Sequence, residues 1–497
     1  MPRFMVLDNW FVSRCATALT LLTLLFAVGT ANAQMPLTQI STDTFTNTTS
    51  QHQTEVEPAS YALGSTIVSV FQIGRFTDGG SSDIGFSTST NGGTTWTHGN
   101  LPGITKLEGT GSYDRASDPS VTYNAKFKLW LAETLALSDA GGAHGAAVLV
   151  SSSTDGITWN NPATVSIVEQ NGFYDKPWIG CDNTSTSPHY GNCYVEWDDF
   201  SQFDLIEMST STDGGKTWSA KKTTTGSGSG NGGLPLVQPN GTVIVPIDDP
   251  FLASVLAFKS TDGGATWTAP VTVAFISEHG VGGGMRALPL IAAQMDAAGT
   301  VYVVWADCRF RTNCSSNDLV MSTSTNGTTW SAVTRIPIDP TSSTLDHFTP
   351  GLAIKSGTSG STARIGVAFN YFPVASCTTS CKLGVAYIAS ANGGSTWGAP
   401  KPIAGGMNPA WLPSTTSGQM VGDFMTASFV GQKVYSVFAD ATAPVGATLN
   451  EEMFTNARGL SDDAADDPQF SSANDKPVPN AHSDRPRRTK PHRDDER

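Results

Sequence analysis

Charged residues are scarce in this chain, since Asp, Glu, Lys and Arg make up only 14% of its 497 residues. Globular proteins usually carry about 25%, so the composition disfavours a coiled coil, a largely helical protein or a highly charged disordered chain. Basic residues are scarcer than acidic ones, 29 against 43, which gives a formal net charge of −14. Because nucleic-acid binding depends on Lys and Arg that neutralise phosphates, we expect no nucleic acid among the partners.

Long apolar runs are also rare. The run over 16–29 follows Arg3 and Arg14 and precedes Ala31-Asn32-Ala33. It is shorter than the roughly 18 apolar residues of a membrane helix, and its flanks are typical of a secretory signal peptide. The sequence therefore predicts a signal over residues 1–33, cleavage after Ala33, no membrane span, and a secreted or periplasmic mature protein. An uncleaved signal anchor is the alternative.

Cysteines number only seven, and Cys15 falls in the predicted signal. Six cysteines allow 15 disulfide connectivities, but here they lie as three pairs of close neighbours in sequence. We predict the local pairs Cys181 with Cys193, Cys308 with Cys314, and Cys377 with Cys381. No Cys-x-x-Cys pair with His at zinc spacing occurs, so we expect no metal site built on cysteine.

A short motif organises the rest of the chain. The motif begins with Ser-x-Asp/Asn-Gly and ends, after one or two further residues, with Thr-Trp. It recurs at 89–96, 153–159, 211–218, 260–267, 324–330 and 390–397. Asp and Asn accept backbone N–H bonds in tight turns, and Gly supplies positive φ at little steric cost. An apolar or alternating run precedes each copy. Each copy is therefore predicted to be a hairpin turn between two strands.

Two further strands are predicted upstream of the turn in each unit, for example 288–292 and 301–305 in the fifth. Four strands in a repeated unit of about 60 residues are typical of β-propeller blades. Three more strands follow the last turn, at 424–429, 434–439 and 452–455. They predict a seventh blade, which a strand near 40–45 would complete. Seven blades are favoured over six.

The turn motif resembles the Asp box (BNR repeat) of sialidases and related proteins, most clearly in Ser211-Thr212-Asp213-Gly214-Gly215-Lys216-Thr217-Trp218. The resemblance covers roughly residues 55–455. It implies an all-β, sialidase-like β-propeller of four-stranded blades over 34–460. The segment 461–497 is charged and almost without apolar residues, which predicts a disordered tail.

The same resemblance implies a set of site residues on the loops opposite the Asp-box turns. Sialidases use, in chain order, an Arg, an Asp acid/base, a Glu, two further Arg and a Tyr nucleophile. In this chain that order is met by Arg75, Asp114, Glu278, Arg286, Arg309 and Tyr371. Three guanidinium groups would clamp the carboxylate of sialic acid, while the Glu would take the proton of the Tyr.

The match to the sialidase pattern has gaps. The expected Arg-Ile-Pro signature is absent, because the sequence around the first arginine reads Gly74-Arg75-Phe76. Asp83 or Asp118 could take the place of Asp114, and Glu196 that of Glu278.

The sequence thus predicts an exported sialidase-like glycoside hydrolase, with exo-α-sialidase activity as the sharpest hypothesis and a glycan or glycoconjugate as partner. Two alternatives stay open: another glycoside hydrolase that uses two carboxylates of the same face, and a non-catalytic propeller that binds glycans or proteins. A monomer without cofactor is expected. Adjacent acids leave structural calcium open, although no Ca²⁺ loop motif is present.

Overall fold

The computed structural model describes residues 35–378, 380–461 and 470–471. The predicted signal, residues 1–33, lies outside the described residues, and so does the predicted tail except for Ser461, Phe470 and Ser471. The described residues belong to one compact unit that starts at Met35. They form 33 strands and four short 3-10 turns, with no α-helix in this part of the chain. None of these elements is a helix long and apolar enough to cross a membrane.

The first eight strands after the N-terminal strand β1 (Leu37–Gln39) form two antiparallel groups of four. The first group is β2 (Glu55–Leu63), β3 (Thr66–Arg75), β4 (Ser81–Ser89) and β5 (Thr97–Asn100). The second is β6 (Arg115–Asn124), β7 (Leu129–Ser138), β8 (His144–Ser153) and β9 (Ala163–Ile167). One residue pair, Ser81 with Ala116, joins the two groups.

Three more four-stranded antiparallel sheets follow, each in simple sequence order. The third is β10 (Tyr174–Cys181), β11 (Cys193–Asp199), β12 (Leu205–Ser211) and β13 (Lys222–Thr223). The fourth is β14 (Leu236–Val237), β15 (Val243–Asp248), β16 (Ser254–Ser260) and β17 (Val271–Phe275). The fifth is β18 (Ala292–Met295), β19 (Val301–Asp307), β20 (Asp318–Ser324) and β21 (Thr334–Arg335).

The sixth sheet is β22 (Asp346–Ile354), β23 (Ile365–Phe372), β24 (Leu383–Ser390) and β26 (Lys401–Met407). Beside it, β25 (Thr396–Trp397) pairs with β33 (Phe470–Ser471), which lies in the segment predicted to be a disordered tail. A small hairpin follows, formed by β27 (Ser414–Thr415) and β28 (Gly418–Gln419).

The last sheet combines the two ends of the described chain. It contains β29 (Thr426–Val430), β30 (Lys433–Ala441), β31 (Glu451–Asn456) and β32 (Leu460–Ser461). Strand β1 pairs antiparallel with β31. The N-terminal strand thus lies earlier in the chain than the predicted 40–45. Its pairing with β31 ends where the backbone N–H of Ile40 donates to the carbonyl of Met453, and the chain turns soon afterwards at Asp43.

Neighbouring sheets pack face to face, and the core lies between them. One buried cluster joins residues of β7 and β8 to residues of β10 and β11, and another joins the third sheet to the fourth. The first strands of the groups also meet: β2 contacts β6, β6 contacts β10, β10 contacts β14, β18 contacts β22, and β22 contacts β29. Strand β29 contacts β2 in turn, so the last sheet lies against the first.

The six motif copies share one hydrogen-bonding pattern. In every copy the Ser hydroxyl accepts a Gly N–H at 2.8–2.9 Å, and the Asp or Asn Oδ1 accepts the Thr N–H at 2.7–3.0 Å. Each copy joins the third strand of its sheet to the fourth, as the pattern predicts. Since these bonds are local, each turn can form from its own short sequence.

The three predicted disulfides are confirmed. Cys181 bonds to Cys193, Cys308 to Cys314, and Cys377 to Cys381. The first joins β10 to β11, and the other two close short loops. Disulfides of this kind are typical of proteins outside the reducing cytoplasm.

The tryptophans of the turns differ in burial, which gives a test of the packing. Trp397 is 1% exposed in the core, whereas Trp218 is half-buried. Replacing a buried Trp by Ala typically costs about 3–5 kcal/mol, so Trp397→Ala should lower the free energy of unfolding by that amount. Trp218→Ala should cost less. Urea titration of the full chain measures both, and equal losses would contradict the packing.

Candidate active site

Four strands, each the first of its four-stranded group, carry the same irregularity near their starts. Each of β2, β6, β10 and β22 has a shift in its pairing register. The residues at the shifts have positive φ, and a proline follows each: Glu57 (57°), Asp118 (42°), Lys176 (48°) and Thr349 (45°). Positive φ is uncommon for residues other than Gly, and such bulges re-aim side chains next to functional sites.

Three of these bulges contribute to one buried group of charges. We call Glu57, Asp118, Lys176, Arg286 and Asp423 the central cluster; none is more than 8% exposed. The ammonium of Lys176 lies 3.0 Å from Asp118 Oδ1, 2.7 Å from Asp423 Oδ2 and 4.0 Å from Glu57 Oε1. Arg286 binds Asp423 with two bonds, Nε to Oδ1 at 2.8 Å and Nη2 to Oδ2 at 2.6 Å. The cluster thus joins residues far apart in sequence.

The two outer carboxyls of the cluster are driven to opposite protonation states. Burial raises the pKa of Glu57 to about 8, against the lowering effect of the nearby Lys176 charge. For Asp423, burial acts in the same upward direction, but Arg286 and Lys176 outweigh it and hold the pKa far below the usual range. At neutral pH Glu57 is therefore a neutral acid and Asp423 an anion. Carboxyl pairs whose pKa values are pushed apart are suited to acid–base chemistry.

The side chain of Gln72 connects Glu57 to its surroundings. Its amide nitrogen donates to Glu57 Oε2 and to Ser117 Oγ, the latter at 3.1 Å. Glu57 Oε1 accepts the backbone N–H of Asp423 at 3.2 Å. The carboxyl of Glu57 is therefore fixed in orientation by neutral donors. Its pKa is raised by burial and by the charges of Asp118 and Asp423, and lowered by the charges of Lys176 and Arg75.

A cavity of about 340 Å³ adjoins the central cluster, and Asp118 and Lys176 form part of its wall. Half-buried aromatic side chains form other parts of the wall: Tyr61, Trp178 and Phe424. The rings of Trp178 and Phe424 meet edge to face with centroids 5.2 Å apart. Apolar and aromatic walls with a few charged groups are the usual composition of a small-molecule site.

Two of the predicted substrate-binding arginines belong to the central cluster or act on it. Arg286 is a member of it, and the charge of Arg75 acts on Glu57. Arg75 is 1% exposed, and its Nη1 donates to Gln72 Oε1 at 3.2 Å and to the carbonyl of Gly80 at 3.0 Å. Both arginines thus already bind acceptors of the protein.

Other predicted site residues have different partners. Arg309 binds Asp307 through Nε at 2.8 Å and Nη2 at 2.6 Å, and Asp114 pairs with Lys106 at 2.5 Å. Tyr371 lies in β23 opposite His347. Burial raises the pKa of the Tyr371 hydroxyl. Among the described contacts, none joins Arg309, Asp114 or Tyr371 to the central cluster by a hydrogen bond or ion pair. Glu278 precedes His279 in the stretch after β17 and raises the pKa of that imidazole as the weakest of several influences.

Glu57 is the central residue that the sequence reasoning missed. Its signal was present as a repeated dipeptide, a charged residue followed by proline near the start of a first strand: Glu57-Pro58, Asp118-Pro119 and Lys176-Pro177. The residue before a proline is normally held in extended conformations. A charged residue directly before a proline near the start of the first strand, repeated in successive groups, is therefore a pattern that could have indicated the bulges.

A second group of titratable residues lies near Asp318, Asp339 and His347, whose ligand atoms approach one another as metal ligands would. Two guanidinium groups already bind both carboxylates. Arg335 lies 2.9 Å from Asp318 and 2.8 Å from Asp339, and Arg311 lies 2.5 Å from Asp339 and also binds Asp318. Burial lowers the pKa of His347. The group is a neutralised ion-pair network and does not fit a cation.

Comparisons with known proteins give only remote likenesses. No family model and no curated protein matches the chain. A Dyadobacter fermentans protein of unknown function aligns over 68% of this chain and 95% of its own, with 16% identity and TM-score 0.42. An ulvan lyase of a polysaccharide lyase family, solved with a glucuronate–sulfated rhamnose ligand, aligns over 84% and 95%, with 9% identity and TM-score 0.49. The NanB sialidase of Streptococcus pneumoniae aligns over 84% and 70%, with 14% identity and TM-score 0.41.

Neighbours of the chain thus include sialidases and a polysaccharide lyase, but at TM-scores this low the likeness assigns no activity. The described residues form an all-β protein of four-stranded antiparallel sheets with a buried site of carboxyls, a lysine and an arginine.

The raised pKa of Glu57 predicts a pH dependence of stability. Folding raises this pKa from the usual 4.5 to about 8, so the folded state keeps a proton that the unfolded chain releases. Its contribution to stability is complete below pH 4.5 and is lost as pH rises towards 8, by up to about 1.4 kcal/mol per pH unit.

Glu57→Gln cannot ionise and should flatten this slope between pH 5 and 8 by up to that amount. Urea unfolding of both proteins across the range measures it. If the free energy of unfolding varies with pH by the same slope in both proteins, the pKa of Glu57 is not raised by folding.

Proposed function

We propose that the protein is an exported, monomeric, sialidase-like β-propeller of seven blades that hydrolyses a glycan at the central cluster. Seven groups of strands support the blade count, since the eight-stranded sheet is two groups of four joined by a single pair. The contact of β29 with β2, and the pairing of β1 with β31, support closure of the ring. The Asp-box turns then lie between the third and fourth strands of six blades.

One arrangement carries the enzymatic part of the proposal: Glu57 is buried at 1% exposure, 4.0 Å from Lys176, beside Asp118 and Asp423, which pair with that lysine at 3.0 and 2.7 Å. Burial raises the pKa of Glu57 to about 8, which favours its protonated form at neutral pH. Glycoside hydrolysis needs a carboxylic acid that protonates the leaving oxygen and a second carboxylate that stabilises or attacks the sugar. We assign Glu57 to the first role and Asp118 to the second. Asp118 is paired with Lys176 at 3.0 Å and forms part of the cavity wall.

The remaining members of the cluster position these two acids. Asp423 is held by both Lys176 and Arg286, and its backbone N–H fixes Glu57 Oε1 at 3.2 Å. The positive charge of Lys176 stabilises the ionised form of Asp118. Tyr61 and Trp178 offer aromatic surface to the bound sugar within the cavity wall.

The proposal is tested with a panel of aryl glycosides and polymeric glycans. For the substrate found, Glu57→Gln should lower kcat by about 10²–10⁴-fold, because general acid catalysis usually contributes that much. Glu207→Gln is the matched control: its pKa is also raised by burial, but it binds Lys221 and Trp197 in the third sheet. Full activity in Glu57→Gln would refute the role of Glu57, and glycan binding without turnover by the wild type would leave a non-catalytic binding propeller.

A second candidate is the exo-α-sialidase predicted from the sequence. It is favoured by one observation, that Arg75 and Arg286 both border the central cluster. Under this candidate Asp114, Glu278 and Tyr371 are catalytic, and Arg309 completes the clamp on the sialic acid carboxylate.

The sialidase candidate predicts that the wild type releases the fluorophore from a fluorogenic sialoside and that Tyr371→Phe abolishes release. Arg286→Ala should do the same. Under the central-cluster proposal, Tyr371→Phe keeps its activity, so this single variant separates the two candidates. Background-level turnover of the sialoside by the wild type would exclude the sialidase.

A further inference from the structure

The cavity beside the central cluster continues along the first strands of the groups, beyond the ion pairs of the cluster. Lys176 near the start of β10 and Cys181 at its end both line it. Five residues of an extended strand span roughly 15 Å. The far part of the cavity therefore lies beyond contact with Lys176 and its partners.

The first strand of every four-stranded group contributes to the wall of the cavity. Residues of β2, β6, β10, β14, β18, β22 and β29 line it. Because the wall comes from all these strands, a chain-like ligand enters with one of its ends and not with an internal segment. The volume of about 340 Å³ is at the lower end of the roughly 300–1,000 Å³ that small-molecule sites occupy. Only a short end of such a ligand therefore fits.

The charges of the wall neutralise each other. Among the described residues that line the cavity, only Asp118 and Lys176 are charged, and Lys176 Nζ lies 3.0 Å from Asp118 Oδ1. Lys176 also pairs with Asp423 at 2.7 Å. An anionic ligand would have to displace a carboxylate from Lys176, which breaks a buried ion pair. The cavity therefore favours a neutral ligand.

Two polar side chains of the wall have hydrogen-bonding groups that the protein does not use. The indole N–H of Trp178 and the side-chain amide of Gln294 form no hydrogen bond with any described residue. Both side chains are half-buried. By contrast, Asn183 donates to the carbonyl of Tyr123 and accepts the N–H of Ala125, both at 2.7 Å. Since an indole only donates and an amide both donates and accepts, the fitting ligand carries donors and acceptors.

Trp178 also offers the surface of its ring. The ring is held edge to face against Phe424, with centroids 5.2 Å apart. An indole combines a large apolar face with a single polar N–H. A sugar ring has C–H groups that pack on an aromatic face and hydroxyls that exchange hydrogen bonds at its rim. A neutral sugar therefore fits Trp178 and Gln294 together.

We propose that the cavity binds one end of a neutral oligosaccharide, with a sugar unit packed on Trp178 and hydrogen-bonded to Trp178 Nε1 and to the amide of Gln294. This inference rests on the proposed function, which it narrows to neutral glycans that are bound at a chain end. Sialic acid and uronic acids are poor occupants, because each brings a carboxylate to a wall without an uncommitted cation.

Ordered water is the rival occupant. A buried water typically bonds to about three polar groups, and waters at Trp178 and Gln294 would satisfy both side chains without a ligand. Protein stability does not separate the two occupants. The experiment must therefore measure the binding of the sugar itself.

The test is titration calorimetry on the full mature chain, as wild type and as Glu57→Gln to slow hydrolysis. The neutral probes are cellotriose, maltotriose, xylotriose and mannotriose, and the anionic probes are trigalacturonate and 3′-sialyllactose. At least one neutral trisaccharide should bind to a single site per chain, at least tenfold more tightly than either anionic probe. A longer polymer of the same sugar should bind no more protein per mole of chain than the trisaccharide does, because only chain ends enter.

Two variants test the contacts. Trp178→Phe keeps an aromatic ring but loses the N–H, and Gln294→Ala loses the amide. Each should weaken binding of the neutral trisaccharide by roughly three- to tenfold, the usual contribution of one hydrogen bond. Trp218→Ala is the matched control, because Trp218 is a half-buried tryptophan of the third sheet that does not line the cavity. It should bind like the wild type.

The proposal is overturned if no neutral trisaccharide binds, if the anionic probes bind as tightly, or if Trp178→Phe and Gln294→Ala both keep wild-type affinity. If Trp178→Phe does not fold, Gln294→Ala and the comparison of neutral with anionic probes decide. Binding that depends on Trp178 and Gln294 without any hydrolysis would uphold this inference and refute the proposed enzyme. Hydrolysis of a glycan whose KM neither variant changes would do the reverse.

Discussion

The ammonium of Lys176 is the interaction on which the central part of the molecule depends. It pairs at once with Asp118 from β6 and with Asp423 before β29, and it lies 4.0 Å from Glu57 in β2. Breaking a buried ion pair by removing one partner typically costs about 3–5 kcal/mol. Three sheets are thereby tied to one positive charge, and the same charge sets how much of the acid cluster can ionise.

The central cluster has two cationic side chains, Lys176 and Arg286, for three carboxyls, so one carboxyl is left without a full counter-charge. Lys176 and Arg286 together ionise Asp423, and burial leaves Glu57 with its proton. A chain of net charge −14 would repel anionic ligands over most of its surface. A site in which a neutral acid adjoins a lysine-paired carboxylate suits a neutral sugar better than an anion, unless the arginines are released from their present partners.

The parts of the fold that depend on short sequence segments were predictable. Each turn of the Ser-x-Asp/Asn-Gly type forms its hydrogen bonds within a few residues, so Ser211 and Asp213 already specify their hairpin. The disulfides were predictable for the same reason, since each closes a short loop. The N-terminal strand lies a few residues before the predicted 40–45, because its register depends on where β31 begins to pair.

The site was less predictable because its contacts are long-range. Asp423 meets Lys176 across 247 residues, and no local pattern carries that information. Of the predicted arginines, Arg286 belongs to the central cluster, and the charge of Arg75 acts on Glu57. In the sequence, the bulges that re-aim Glu57, Asp118 and Lys176 are marked only by the proline that follows each of these residues.

The function proposed for the central cluster requires Glu57 to be a protonated acid at neutral pH. Infrared difference spectroscopy of the wild type against Glu57→Gln at pH 7 tests this most directly. We expect the variant to lose the carbonyl band of a protonated carboxylic acid. The same band should vanish from the wild type above about pH 9, because burial raises the pKa of Glu57 to about 8. Loss of carboxylate bands at pH 7 instead would contradict it.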